Sequence, residues 1–185
     1  MPPFTETRLR VRYAETDQMG VVYYANHYIW MEVARVELCK ARGFSYRDME
    51  LEDGILMAVA ESACRYRAPA HFDDEIVIKS WIEAANSRTV TIQYEMRLAD
   101  SGRVLATGHT RHVFVNREMR KARLPKKYFA MFGIPARAGE HGSPQSHGDT
   151  EKAESQKPGP EFTEVAEATE GVRRPLWGDG TDGPG

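Results

Sequence analysis

Apolar and polar residues alternate along five stretches of the chain, and this period of two predicts β-strands. The clearest is residues 89–98, where Val90, Ile92 and Tyr94 alternate with threonine and glutamine. The turn-forming residues Asp, Ser and Gly follow directly at 100–102. The predicted strands cover residues 7–13, 55–67, 75–83, 89–98 and 104–116.

A different spacing separates the first two strands, with apolar residues recurring every three or four positions as on one face of a helix. Asn26 is a predicted N-cap, and Gly43 follows as a stop signal, so the predicted helix covers residues 26–41. A short closing helix is predicted over residues 125–132. The apolar positions of the long helix are Ile29, Trp30, Val33, Ala34 and Leu38.

The order of these elements predicts an α+β fold. One helix of about 15 residues cannot be sandwiched between several separate layers. The simplest arrangement is a single curved antiparallel sheet wrapped around the long helix. Long strands leave open sheet edges, and open edges invite pairing with a second copy. We therefore expect a homodimer or a dimer of dimers.

Composition excludes several classes of protein. The chain is 41% hydrophobic and 28% charged with a net charge of −2, which is ordinary for a globular protein and gives no sign of nucleic-acid binding. No apolar run predicts a signal peptide or a membrane span. Cys39 and Cys64 have no metal-ligand spacing and are expected to be reduced thiols, so we predict a cytoplasmic protein without a metal site.

Charge divides the chain into two parts. Residues 1–134 hold 20 Lys and Arg against 17 Asp and Glu, whereas residues 135–185 hold 5 against 10. The second part also holds nine of the 15 glycines and six of the 10 prolines. Such a segment buries too little apolar surface to offset its ordering entropy. We therefore predict a working domain over residues 1–134 and a disordered acidic Gly/Pro-rich tail over residues 135–185.

An acid stands just before the long helix. Unpaired N–H groups at a helix N-terminus carry partial positive charge and can hold a carbonyl oxygen as negative charge builds on it. Asp17 lies nine residues before the predicted cap and could act there as nucleophile or general base. An Asp in this position is also typical of a turn. Glu15 is a rival, because on an extended chain both carboxylates would point to the same side.

A longer pattern around this acid resembles the 4-hydroxybenzoyl-CoA thioesterase family, a branch of the hotdog fold. The resemblance covers about residues 5–132. It implies a sheet wrapped around a central helix and hydrolysis of an acyl-CoA thioester. The matching stretches are Tyr13-x-x-x-Asp17-x-x-Gly20-Val21-Val22-Tyr23-Tyr24-x-Asn26, then Trp30-Met31-Glu32-x-x-Arg35-x-Glu37, and later Tyr66-Arg67-Ala68-Pro69-Ala70 with Asp73-Asp74.

The resemblance also implies a role for individual residues. Asp17 matches the catalytic carboxylate, and Tyr24 the position whose backbone N–H polarises the thioester carbonyl. Gly20 lets the backbone turn between them, and Tyr13 is an aromatic near the acid, with core packing as its alternative. Many relatives carry histidine where Tyr24 stands, so only the backbone role is expected here. His27 is interpreted as a residue of the first helical turn.

Coenzyme A carries phosphates, so basic residues should line the rim of the pocket. Arg88, Arg120 and Lys121 are the predicted phosphate contacts, since arginine offers paired donors to phosphate. Arg117 and Arg123 are further candidates, and a solvated basic surface is the alternative. Coenzyme A belongs to the substrate, so no cofactor is expected.

The predicted function is an acyl-CoA thioesterase for a small or medium acyl group. One alternative is a thioesterase acting on acyl carrier protein, whose acidic surface would meet the basic residues. Another is a non-catalytic acyl-CoA binding or sensing protein, which would have no use for Asp17. Hotdog dehydratases fit less well, because the catalytic histidine that they need cannot be placed in this sequence.

Overall fold

The computed structural model describes residues 3–135, which contain one five-stranded antiparallel sheet. Its strands lie in the order β1-β3-β4-β5-β2, so β1 and β2 form the two edges. The predicted α+β arrangement is confirmed. The strands are β1 Thr5–Arg10, β2 Leu56–Tyr66, β3 Glu75–Ala85, β4 Thr89–Leu98 and β5 Val104–Val115.

Three α-helices accompany the sheet within the described residues: α1 Asn26–Ala41, α2 Tyr46–Asp53 and α3 Phe129–Phe132. Tyr13–Glu15 and Lys126–Tyr128 are short 3-10 segments. None of the helices in residues 3–135 is long and apolar enough to cross a membrane.

The core lies between α1 and one face of the sheet. Alternate residues of β4 are buried, as the period of two requires, and α1 presents Trp30, Met31 and Leu38 to them. Gly108 in β5 marks the closest approach, because a Cβ there would collide with Met31 and with the carbonyl oxygen of Ala63. The helix therefore packs directly onto the sheet, as predicted.

Two predicted boundaries are wrong. β1 ends at Arg10 instead of continuing to residue 13, since the chain turns into the 3-10 segment Tyr13–Glu15. Asn26 is the first residue of α1 and Ala25 is its N-cap, without a side-chain capping bond. The Asn26 side chain instead donates to the carbonyl oxygen of Glu15 at 2.8 Å. It therefore ties the helix to the preceding loop.

The sequence interpretation missed α2 altogether. Ser45 is its N-cap and accepts a hydrogen bond from the Asp48 N–H at 3.2 Å, while Gly54 ends it in the left-handed conformation with φ of 64°. The signal was present as a capping serine, an acid three residues later and a terminal glycine. The predicted closing helix at 125–132 is shorter than expected, with its first turn in 3-10 form.

The edge strand β2 pairs with β5 on one side, and its other side is unpaired within residues 3–135. Its middle residues, 59–63, are all exposed. The register shifts between Val59 and Glu61, which marks a β-bulge. This strand is therefore the open edge expected from the sequence. The predicted tail lies outside the described residues.

Candidate active site

The acid predicted to be catalytic lies in a tight hairpin between β1 and α1. Thr16 pairs with Val22, and the Asp17 N–H donates to the Val21 carbonyl at 2.9 Å. The Gly20 N–H donates back to the Asp17 carbonyl at 2.9 Å. Gly20 has φ of 73°, a left-handed conformation that favours glycine. The backbone therefore turns at Gly20, where the sequence placed the turn.

One carboxylate oxygen of Asp17 already has a partner. Its Oδ1 accepts a hydrogen bond from the Met19 N–H at 2.8 Å, as a turn-forming aspartate does. Its Oδ2 has no partner within residues 3–135, and the residue is only partly buried. Asp17 thus forms the turn with one oxygen, and its other oxygen is not used by the turn. The turn role and the catalytic role are compatible.

Glu15 does not share this position. It is only 5% exposed, and its oxygens accept hydrogen bonds from the Arg12 backbone and side chain and from Trp30 Nε1 at 2.7–3.1 Å. Burial raises its pKa, but these hydrogen bonds outweigh burial and leave the pKa below its usual value. The expectation that Glu15 and Asp17 point to the same side is wrong, because the chain at Glu15 is a 3-10 turn. Glu15 is a structural anchor.

The amide assigned to the thioester oxygen lies at the entrance to α1. Within residues 3–135 neither the Tyr24 N–H nor the Ala25 N–H has a hydrogen-bond acceptor. The preceding carbonyl, of Tyr23, accepts from the Asn26 N–H at 3.0 Å and fixes the turn. Free N–H groups at a helix start are electropositive. They can stabilise an oxyanion.

The carbonyl of Tyr24 contacts a histidine that the sequence interpretation set aside. His27 Nδ1 lies 3.1 Å from the Tyr24 oxygen, and the Tyr66 hydroxyl donates to the same oxygen at 3.3 Å. His27 is the second residue of α1, as interpreted, and it is buried. Burial lowers its pKa although the bond to Tyr24 opposes this, so the imidazole is neutral at pH 7. Only the three-dimensional contact identifies it.

The surface around the acid is aromatic and open. Tyr13 is 77% exposed and meets Phe72 edge to face, with ring centroids 5.6 Å apart. The alternative that Tyr13 packs in the core is therefore wrong. The Tyr24 side chain is 57% exposed and lies 4.5 Å from the Tyr23 ring. In one copy of the chain these aromatic side chains face outward.

The predicted phosphate contacts come together at one corner of the sheet. Arg88 lies in the turn between β3 and β4, and its carbonyl accepts from the Phe114 N–H at the end of β5. Arg120 and Lys121 follow in the next loop, which is held by the Asn116 side chain. All three side chains are exposed. The further candidate Arg117 has a structural contact instead, since its side chain donates a hydrogen bond to the Leu51 carbonyl near the end of α2.

This basic corner lies at the other end of the sheet from Asp17. Tyr66, beside the acid loop, ends β2, whereas Leu56 at the start of β2 pairs with Val115 near the basic corner. The 11 residues of β2 span roughly 35 Å. Within one copy of the chain, the expectation that Arg88, Arg120 and Lys121 line the same pocket as Asp17 is therefore wrong. Strand pairing decides this, because the end of β1 lies beside the start of β3, where Arg10 pairs with Glu75, whereas Arg88 follows the end of β3.

The other titratable residues form no centre with Asp17. His109 Nε2 lies 3.1 Å from Glu61 on the outer face of the sheet, and His112 is buried against Thr110, so the two histidines lie on opposite faces as predicted. Among residues 3–135 there is no group of three His, Cys, Asp or Glu that could hold a metal ion.

Comparison with known proteins places this geometry in a family. Residues 11–132 match the model of the Thioesterase-like superfamily. The chain belongs to the thioesterase-like superfamily. The match spans the acid loop, α1 and the whole of the sheet except β1.

Individual members of this superfamily are also similar to the chain. YneP of Bacillus subtilis, named as a candidate acyl-CoA thioesterase, is 38% identical over 114 residues, which are 62% of this chain and 81% of YneP. The hypothetical protein TT1821 from Thermus thermophilus matches with a TM-score of 0.66 and 32% identity. The match covers 71% of this chain and 97% of the TT1821 chain. A DHNA-CoA thioesterase from Staphylococcus aureus has a TM-score of 0.65 and 31% identity, covering 70% and 86%.

These likenesses confirm the hotdog fold and the predicted enzyme class, a thioester hydrolase. They do not single out the 4-hydroxybenzoyl-CoA branch, which stays a prediction. The roles of Asp17, Gly20, Tyr24 and Tyr13 also stay predictions.

Proposed function

We propose that this thioesterase-superfamily protein hydrolyses a small or medium acyl-CoA thioester to the free acid and coenzyme A. The observation that carries the proposal is the loop that holds Asp17 and Tyr24 by backbone hydrogen bonds. Within residues 3–135 one carboxylate oxygen of Asp17 and the Tyr24 N–H have no hydrogen-bond partner. An acid and an oxyanion donor in one rigid loop are what acyl transfer to water requires. The names of similar proteins support the substrate class.

In the proposed reaction the thioester carbonyl oxygen accepts a hydrogen bond from the Tyr24 N–H. On one route Asp17 attacks the carbonyl carbon, the C–S bond breaks, and water then hydrolyses the mixed anhydride. On the other route Asp17 takes a proton from water, and the resulting hydroxide attacks. On both routes coenzyme A leaves as a thiolate, a good leaving group that takes up a proton. No metal or cofactor is needed, so dialysis against a chelator should leave the rate unchanged.

The position of the basic corner supports a dimeric site. A two-fold axis beside the free edge of β2 would pair this strand antiparallel with its copy. Antiparallel pairing sets the start of one β2 beside the end of the other. The Arg88, Arg120 and Lys121 of one copy would then approach the Asp17 loop of the other and meet the phosphates of coenzyme A. We therefore propose a homodimer, alone or within a dimer of dimers, as the active form.

Replacing Asp17 by asparagine tests the proposed function. We expect Asp17→Asn to lower the rate of thiol release from acyl-CoA by on the order of 10² to 10⁴, because the base or nucleophile is lost. A thiol-reactive dye measures the rate on a panel of acyl-CoA substrates. Asp100→Asn is the matched control, since Asp100 also accepts a backbone N–H in a turn. Full activity in Asp17→Asn would refute the assignment.

Single-turnover hydrolysis in ¹⁸O-labelled water separates the two routes. Label found in the Asp17 carboxylate supports an anhydride whose aspartyl carbonyl is attacked by water. Label found only in the product acid is expected from the general base, and rapid quenching must then show no acylated Asp17, because an anhydride attacked at its acyl carbonyl would give the same labelling.

The same assay distinguishes the two alternatives. Activity on an acyl group attached to carrier protein, without activity on acyl-CoA, would indicate a carrier-protein thioesterase. Tight binding of acyl-CoA without thiol release would indicate a sensing protein.

A further inference from the structure

The carbonyl oxygen of Tyr24 is held by two side chains from different elements of the fold. His27 of α1 lies 3.1 Å away through Nδ1, and Tyr66 at the end of β2 donates its hydroxyl at 3.3 Å. The helix and the edge strand therefore meet at one backbone oxygen. That oxygen belongs to the peptide group whose N–H is that of Ala25, which like the Tyr24 N–H has no acceptor in the described part of the chain, residues 3–135.

Both side chains are fixed as donors. A carbonyl oxygen only accepts hydrogen bonds, so the neutral His27 carries its proton on Nδ1. Burial raises the pKa of the Tyr66 phenol above its usual value, so the hydroxyl keeps its proton at pH 7. The Tyr24 oxygen therefore accepts these two side-chain hydrogen bonds in addition to one from the His27 backbone N–H at 3.3 Å.

Packing alone does not account for a histidine at this position. His27 lies between Trp30 and Tyr66, with ring centroids 4.9 and 5.0 Å apart, and it is 4% exposed. Its Nε2 is buried without a hydrogen-bond partner within residues 3–135. A buried acceptor that lacks a partner is destabilising, and an apolar side chain would avoid that cost. The contact that justifies the imidazole is its bond to the Tyr24 oxygen.

The peptide group transmits this contact to the site. It is planar and conjugated, so hydrogen bonds accepted at its oxygen polarise its N–H and fix the plane in which that N–H points. We propose that the Ala25 N–H is a second oxyanion donor beside the Tyr24 N–H, and that His27 and Tyr66 are the positioning residues that orient and strengthen it. This inference rests on the proposed function.

Three substitutions test the inference. Tyr66→Phe removes only the hydroxyl, and His27→Leu removes the imidazole donor. His27→Asn keeps an N–H near the place of Nδ1. Tyr46→Phe is the matched control, because the Tyr46 hydroxyl also donates to a backbone carbonyl, that of Met57, at 3.0 Å.

The kinetic readout is the split between kcat and KM with acyl-CoA. We expect Tyr66→Phe and His27→Leu each to lower kcat roughly three- to tenfold, since each removes one hydrogen bond to the Tyr24 oxygen, which belongs to the same peptide group as the Ala25 N–H. KM should change less than about twofold, because a donor to the developing oxyanion acts in the transition state. His27→Asn should recover most of the loss. Tyr46→Phe should match the wild type.

The second readout does not need turnover. In ¹H–¹⁵N spectra the Ala25 amide proton of Tyr66→Phe and His27→Leu should move upfield of its wild-type position, as expected when its peptide oxygen loses a hydrogen bond. In Tyr46→Phe it should stay. An unchanged kcat together with an unchanged Ala25 amide in Tyr66→Phe would overturn the inference, even if His27→Leu failed to fold. A wild-type protein inactive on every thioester would instead refute the proposed function, and the Ala25 shift would still decide whether these side chains tune that amide.

Discussion

The two ends of the sheet are built differently. At the acid end, the loop carrying Asp17 is anchored from inside the core by Glu15, which is buried and accepts hydrogen bonds from Arg12 and Trp30. At the basic end, the loop carrying Arg120 is anchored near the surface by Asn116, whose Oδ1 accepts from two backbone N–H groups. The acid end holds Asp17, the proposed catalytic residue, on a loop that is anchored in the core. The other holds exposed cations on a solvated turn.

This difference indicates a division of labour. An oxyanion donor works only when it is preorganised, because any reorganisation at the moment of reaction costs rate. Phosphate groups of a flexible substrate can be bound by mobile Lys and Arg side chains, because attraction between charges does not require one fixed geometry. Since the two ends lie roughly 35 Å apart along β2, one protomer alone cannot apply both to one acyl-CoA molecule.

Among the variants that test this comparison, the largest effect is expected from reversing charge at the basic end. Each exposed charge contact is worth up to about 1 kcal/mol, so replacing Arg88, Arg120 and Lys121 together by glutamate should lower kcat/KM by on the order of 10². The loss should fall mainly on KM for acyl-CoA. An acyl-pantetheine substrate, which lacks the nucleotide phosphates, should react as with the wild type. Equal losses on both substrates would contradict a phosphate-binding role.

A mixing experiment tests whether the two ends act across a dimer. Asp17→Asn and the triple glutamate variant should each be nearly inactive at low substrate concentration. After random reassembly half of the dimers are mixed, and one of the two sites in each mixed dimer combines an intact Asp17 with an intact basic end. Activity should therefore rise to about a quarter of the wild-type value. No recovery, with mixed dimers shown by mass, would mean that each site uses one protomer.

The smallest effect on catalysis, and the clearest on stability, is expected at the two anchors. Glu15→Gln should lower the free energy of unfolding by about 1–3 kcal/mol, because the amide lacks the charge and one of the acceptor oxygens that the buried carboxylate offers to its donors. Asn116→Ala should lower it by less than about 1 kcal/mol. Urea unfolding measures both. Equal losses at the two anchors would contradict the structural contrast between the ends.

The loss of stability in Glu15→Gln should also depend on pH. The pKa of Glu15 is lower in the folded state than in the unfolded state, where it is 4.5. Ionised Glu15 therefore makes its full contribution to the free energy of unfolding above pH 4.5, and this contribution disappears as pH falls through the folded-state pKa. The difference between the wild type and Glu15→Gln should therefore be constant from pH 7 to about pH 5 and shrink in stronger acid.

Periodicity in the sequence was sufficient for the main elements. Residues 89–98 were predicted with the boundaries that the structure has, and α1 was predicted over its full length although its N-cap is Ala25 and not Asn26. The spacing of apolar residues was sufficient because it reports which face of an element is buried. The helix α2 was missed because its charged residues gave no apolar stripe, although its capping residues were present. The Asp17 loop was located by its motif and its turn glycine.

By itself the sequence determined the fold class, the central helix, the open sheet edge and the loop that carries Asp17, since all of these depend on local pattern and chain order. Tertiary structure alone decided which acid is buried, where His27 and Tyr66 converge, and that the basic residues lie at the far end of the sheet. These facts depend on which strands pair, on their register, and on contacts between residues distant in the chain. A register shift of one residue reverses the face of every side chain, and local propensity does not encode it.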